Sequence, residues 1–163
     1  MSSKLKNLSD YKPQDVPNGK NVRIGIVVAE WNPDVTNSLA EGAINTLLKF
    51  GVNENSIVLK YVPGSFELPL GAQFIIEAGK VDAVICLGCV IQGETRHFDF
   101  ICQGVTQGII ELNLKYDLPI IFGVLTTNNQ EQALDRAGGK HGNKGDEAAV
   151  AALKMIELKK TCE

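Results

Sequence analysis

A chain of 163 residues, 44% hydrophobic and 21% charged, is long enough to fill one core and too short for two comfortable domains. Its net charge of −3, with no run of Lys or Arg longer than two, excludes a nucleic-acid surface of the usual basic kind. The composition also excludes bulk disorder, and no apolar stretch approaches the roughly 18 residues of a membrane span.

Residues 1–20 are polar and carry Pro13, Pro17 and Gly19. They have neither the apolar centre of a signal peptide nor the Arg-rich character of a transit peptide. A mobile N-terminal tail over 1–20, a single domain over 21–163 and a cytoplasmic location are therefore expected. Residues 22–29 form an apolar run, interrupted only by Arg23, with Ile24, Ile26, Val27 and Val28, which predicts a first strand buried on both faces. Asn32-Pro33 predicts a helix start, Asn32 as N-cap and Pro at the first helical position. Val35, Leu39, Ala43 and Leu47 carry that helix to about Phe50, and Gly51 ends it.

Residues 56–62 predict a second strand, broken by Pro63-Gly64, and Ser65 is expected to cap a helix towards Ala78. Residues 81–91 predict a third strand. Thr95 then opens a helix whose apolar stripe is Phe98, Ile101, Val105, Ile109 and Leu112. Residues 119–125 predict a fourth strand, and Asn128 with Glu131 resembles a capping box for a short helix to about Arg136. Residues 138–145 are a glycine-rich turn before a last helix over 146–160. Strands alternating with helices through short loops imply right-handed βαβ units. The expected class is α/β, a three-layer α/β/α sandwich on a four-stranded parallel sheet.

Cys86 and Cys89 have C-x-x-C spacing but lie inside the third strand, where side chains three apart face opposite ways. Redox and zinc pairs of that spacing need a turn or helix start, so these cysteines are expected to be core.

Ligands of open parallel sheets bind beyond the carboxyl ends of the strands. Here those ends are Glu30-Trp31-Asn32, residues 63–67, residues 92–97 and Thr126-Thr127-Asn128. Trp31 is placed either to stack on a planar heterocycle or to pack over the helix start. Glu67 either binds a polyol or merely favours a helix dipole. Gly93-Glu94-Thr95 precedes a helix, whose free amide groups suit phosphate, though many such glycines are simple turns. His97 is either a surface residue or a proton-transfer group, since imidazole titrates close to neutrality. Arg136, Lys140, His141 and Lys144 put four potential cations within nine residues, a plausible anion site that lacks the P-loop pattern.

Three motifs resemble the lumazine synthase family: Pro63-Gly64-Ser65-Phe66-Glu67-Leu68-Pro69, Gly93-Glu94-Thr95-Arg96-His97-Phe98, and Arg136-Ala137-Gly138 through Gly145. Their order and spacing also match, from about Arg23 to Glu157, and the resemblance implies a flavodoxin-like strand order. It implies that Trp31 stacks on a pyrimidine, that Asn32 also binds substrate, and that Ser65, Phe66 and Glu67 hold a ribityl chain. Cys89, Val90 and Ile91 would offer backbone groups to the pyrimidine edge, Glu94 and Thr95 amides to a phosphate. His97 would transfer protons. Phe122 and Arg136 would come from a neighbouring subunit, Phe122 over the heterocycle and Arg136 on the phosphate, with Lys144 nearby.

The implied reaction joins a ribitylaminopyrimidine to a four-carbon sugar phosphate and needs no metal or organic cofactor. The implied partners are further copies of the chain, in a pentamer and then a sixty-subunit icosahedral shell, with riboflavin synthase as one more. Gly104 and Gly108 would then lie either around the pentamer axis or against this chain's own sheet. The family often has Tyr at Phe100, and a β-branched residue or alanine at Cys89; these departures touch only pocket packing.

Three other readings compete. A pentameric riboflavin synthase would not need the phosphate set around Thr95 and Arg136. An FMN-binding module would need a Ser/Thr/Gly-rich loop where Ala29-Glu30-Trp31-Asn32 stands. A shell or flavin-storage protein without catalysis would have no use for His97 and Arg136.

Overall fold

The computed structural model describes residues 7–162. Four parallel strands form its sheet, in the order β2-β1-β3-β4. The middle pair is β1 (Ile24–Ala29) and β3 (Ala83–Ile91), flanked by β2 (Ile57–Val62) and β4 (Ile120–Thr127). Alternate side chains leave a strand on opposite faces, and the two central strands divide accordingly. Ile24, Ile26, Val28, Ile85 and Leu87 belong to one core, with Val35, Leu39 and Leu47 of α1 (Pro33–Lys49) and Leu153 of α5 (Lys144–Cys162). Val27, Ala29, Val84 and Cys86 face the other core, built on α2 (Leu68–Ala78) and α3 (His97–Tyr116). The result is the expected three-layer sandwich. Each fully buried Leu or Ile in it contributes about 1.5–3 kcal/mol relative to exposure.

Several local expectations change. Asn32 does not cap α1: its backbone is left-handed, φ 61 and ψ 56, and its side chain makes no cap bond. Ser65 does not open a helix either. Residues 65–67 make one 3-10 turn, and α2 begins at Leu68 because Pro69 suits a helix's first turn. The third helix starts at His97, two residues later than expected, with Arg96 as N-cap and Thr95 Oγ1 accepting from the His97 amide at 3.4 Å. The cap of α4 (Gln130–Leu134) is Asn129, whose Oδ1 accepts from the Gln132 amide at 2.9 Å. Gln132 Oε1 accepts in return from the Asn128 amide at 3.0 Å, so the box stands one residue later and uses Gln132, not Glu131.

The glycine-rich turn is a small antiparallel hairpin, β5 (Ala137–Gly139) and β6 (Gly142–Asn143). Ser38 and Asn143 fasten it to α1: Ser38 Oγ donates to the Ala137 carbonyl, and Asn143 Nδ2 donates to the Ser38 carbonyl. Cys86 and Cys89 fall in opposite cores, as their place on a strand required. Burial pushes the Cys86 thiol up to about 12 and the Cys89 thiol to about 11, so neither is a thiolate near neutrality. Gly104 and Gly108 face this chain's own residues, not its sheet: a Cβ on Gly104 would lie 3.1 Å from the Phe66 ring, and one on Gly108 2.9 Å from Pro69. Their lack of side chains lets α3 approach the 65–67 turn and the start of α2.

The expected tail lies outside the described residues over 1–6. Further on, the Leu8 amide donates to the His141 carbonyl at 2.7 Å, the Asn143 amide to Ser9 Oγ at 2.9 Å, and Val16 is buried. Among the described residues no helix is long and apolar enough to cross a membrane.

Candidate active site

The carboxyl ends of β1 and β3 open into a cleft of about 430 Å³. Trp31 follows β1 and is 72% exposed, so its ring stands in solvent at the mouth, free to meet a flat ligand. Asn32 lies deeper and donates from Nδ2 to the Cys89 carbonyl at 3.0 Å. The 65–67 turn forms the opposite wall. Phe66 is 58% exposed, and Gly64 leaves room for the Glu67 carboxylate, whose Oε2 lies 3.2 Å from where a Cβ would stand. Ser65 is different: its Oγ is enclosed without a hydrogen-bond partner, against Gly88, where a Cβ would meet it at 2.6 Å. Cys89, Val90 and Ile91 make the floor, and His97, the exposed first residue of α3, stands at the far rim.

Glu94 and Thr95 sit on the exposed turn between β3 and α3, beside this cleft rather than in its lining. The amides of Glu94 and Thr95 make no hydrogen bond among the described residues and stand ahead of the positive end of α3, so the turn can cradle a phosphate. Ile101 and Gly64 also line the cleft. The sequence placed Ile101 in an apolar helix stripe, and nothing in its spacing separates a cleft residue from a core one.

Phe122, Arg136 and Lys144 lie elsewhere. They share a second cavity of about 200 Å³ along the outer edge of β4, with Thr126 and Thr127. Arg136 stands between α4 and β5, and its Nη1 donates to the Gln132 carbonyl at 2.9 Å. Lys144 pairs with Glu147 at 2.6 Å, and its amide donates to the Arg136 carbonyl, so the hairpin holds the two cations together. Lys140 pairs with Asp135 at 2.7 Å, and that hydrogen bond raises its pKa. Among the described residues Arg136 has no carboxylate partner, which makes it the cation best placed for an outside anion. The two groups of residues therefore lie on different cavities of one chain.

A further groove of about 400 Å³ runs along β2 against α2. Its walls are mostly aliphatic and aromatic, and no histidine, carboxylate and exposed ring converge there as they do beyond β1.

A model of the family described as 6,7-dimethyl-8-ribityllumazine synthase matches residues 21–160. The chain is 63% identical over 156 residues to the protein of that name from Cytophaga hutchinsonii, covering 96% of this chain and 98% of the relative. It is 58% identical to that of Parabacteroides distasonis, covering 97% and 99%, and 56% identical to that of Porphyromonas gingivalis, covering 98% and 99%. The chain belongs to the 6,7-dimethyl-8-ribityllumazine synthase family. It is thus an enzyme of the transferase-type condensing class, and lumazine synthase activity in riboflavin biosynthesis follows from membership. A flat ligand entering the cleft beyond β1 would meet the Trp31 ring. Trp31 is the sole tryptophan and reports on this directly. A ribitylaminopyrimidine should quench its fluorescence on binding, and an unchanged spectrum at saturation would remove the stacking role.

Proposed function

We propose that the chain condenses 5-amino-6-(D-ribitylamino)uracil with 3,4-dihydroxy-2-butanone 4-phosphate, giving 6,7-dimethyl-8-ribityllumazine, phosphate and water. The observation that carries this reading is the convergence of Trp31, Glu67, the Cys89–Ile91 strand end and His97 on one cleft. Trp31 covers one face of the pyrimidine, and strand backbone groups meet its polar edge. Phe66 and Glu67 hold the ribityl chain, Glu67 accepting from its hydroxyls. Ser65 contributes through its backbone, because its hydroxyl is enclosed. The turn at Glu94 and Thr95 presents amides to the sugar phosphate.

The pyrimidine 5-amino group attacks the ketone and forms an imine with loss of water. Phosphate then departs, and ring closure with loss of a second water gives the lumazine. His97 carries protons between these steps. Holding two substrates in register contributes much of the rate, since it replaces an encounter by a positioned reaction. Incubation of the purified protein with both substrates tests this. Lumazine fluorescence should appear with one phosphate released per lumazine, whereas consumption of lumazine to riboflavin would favour the riboflavin synthase reading.

The site is completed by a second copy. Phe122, Arg136 and Lys144 occupy a cavity apart from the His97 cleft, and an adjoining subunit bringing its β4 edge to that cleft would place Arg136 at the phosphate. This supports a homo-oligomer, which the family resemblance makes a pentamer. The turn after Arg136 is a compact hairpin fastened to α1, and a compact turn leaves neighbouring pentamers free to meet at the fixed angles a closed shell requires. Light scattering should report the mass of an icosahedral shell. A single-pentamer mass, stable across pH and phosphate concentration, would exclude it. Cytoplasmic location and contact with riboflavin synthase belong to the same proposal.

A further inference from the structure

β3 outruns β1. Their ladder closes with Val28 opposite Leu87, while β3 stays paired to β4 as far as Ile91 opposite Thr127. Two steps on, the same register would set Glu30 opposite Cys89, and the chain has by then begun its turn into α1. That pair would have brought a backbone N–H to the Cys89 carbonyl. The same oxygen instead accepts from Asn32 Nδ2 at 3.0 Å, across 57 positions of sequence. Cys89 is 2% exposed, so without this bond its carbonyl would stand unpaired in the core.

The geometry fixes what lies next to it. The Gln92 amide donates to the Thr127 carbonyl on the β4 side. Backbone groups alternate between sides along a strand, so those of Cys89 and Ile91 face the opposite way, towards the space β1 has vacated. Asn32 takes the first of these positions and leaves the Ile91 groups open on the cleft wall. Its left-handed backbone, φ 61, also turns the chain so that Trp31 stays out of the ladder and 72% exposed. Asparagine meets both demands. Among residues with side chains it tolerates this backbone best, and its amide supplies the donor. Glycine would keep only the backbone; aspartate would present an acceptor where a donor is needed.

We infer that Asn32 is a positioning residue, a side-chain substitute for the missing β1–β3 ladder bond that holds the Cys89–Ile91 edge and the Trp31 ring as two walls of one slot. It acts on the heterocycle through those walls rather than by contact. This rests on the reading of the cleft as the pyrimidine site.

Binding of 5-amino-6-(D-ribitylamino)uracil alone, followed by Trp31 fluorescence, tests it alongside steady-state kinetics. Asn32→Gly should bind the pyrimidine about 10-fold more weakly, with the KM of the sugar phosphate within about twofold of wild type. Asn32→Asp should lose more at neutral pH and recover as the pH falls, because a protonated carboxyl again donates to the Cys89 carbonyl. Glu30 and Asp34 on its own segment, Glu67 of the opposite turn, Cys89 of β3 and His97 of α3 are common to wild type and variant. The wild-type profile therefore controls for their titration. Wild-type pyrimidine affinity in Asn32→Gly, or equal losses for both substrates, would overturn the inference. So would an Asn32→Asp profile parallel to wild type; if that variant does not fold, Asn32→Gly decides alone. A wild-type protein that makes no lumazine defeats the function reading instead, whatever the variants do.

Discussion

Arg136→Ala should raise the KM for the four-carbon sugar phosphate by roughly 10- to 100-fold while leaving that for the pyrimidine within about twofold. A hydrogen bond to a charged group contributes about 1.5–3 kcal/mol, which sets the scale. The asymmetry between substrates carries the argument. Lys140 and Lys144 are held by Asp135 and Glu147, whereas among the described residues the Arg136 guanidinium meets only the Gln132 carbonyl and keeps its other donors for an incoming anion. Removing it should cost little folding stability, since no carboxylate among the described residues is left unpaired. Steady-state kinetics with each substrate varied in turn reads the effect. Equal losses for both substrates would mean failed folding or assembly and would remove Arg136 from the phosphate.

His97→Ala should lower kcat by roughly 10- to 1000-fold, the range that a positioned acid–base group contributes. Pyrimidine binding should survive, because Trp31, Phe66, Glu67 and the β3 end are independent of His97 and form the cleft's remaining walls. The two readouts therefore separate: Trp31 quenching unchanged, turnover lost. His97 is exposed at the first position of α3 and makes no side-chain bond among the described residues that would account for it structurally. A variant with the wild-type rate across pH would reduce it to a surface histidine.

The layered sheet was legible because strands buried on both faces read as unbroken apolar runs, and 24–29 and 83–91 are such runs. The helix starts were less so. Asn32 precedes Pro33 as a cap would, but local pattern cannot show that its amide is needed 57 positions away at the Cys89 carbonyl. Ser65 has the same fault: a residue suited to capping is enclosed against Gly88 by the strand beneath it. Within the site, residues at strand ends were found because the sheet itself directs them to one edge, which is why Trp31, Glu67 and His97 share a cleft. Placing Arg136 in a separate cavity with Phe122 was beyond spacing alone, since it depends on how the 137–143 hairpin folds back on α1. The glycines of α3 were visible, yet their neighbours, Phe66 and Pro69, were not.

One active centre is expected to be assembled from the His97 cleft of one copy and the Arg136 cavity of the next. Mixing His97→Ala with Arg136→Ala protein, under conditions where mass spectrometry of tagged chains demonstrates subunit exchange, tests it most directly. In an equal mixture about a quarter of the interfaces join an intact cleft to an intact Arg136 cavity, so lumazine synthesis should return to roughly that fraction of the wild-type rate. Activity no greater than the average of the separate variants, after proven exchange, would place both residues in the site of a single subunit and rule out a shared centre.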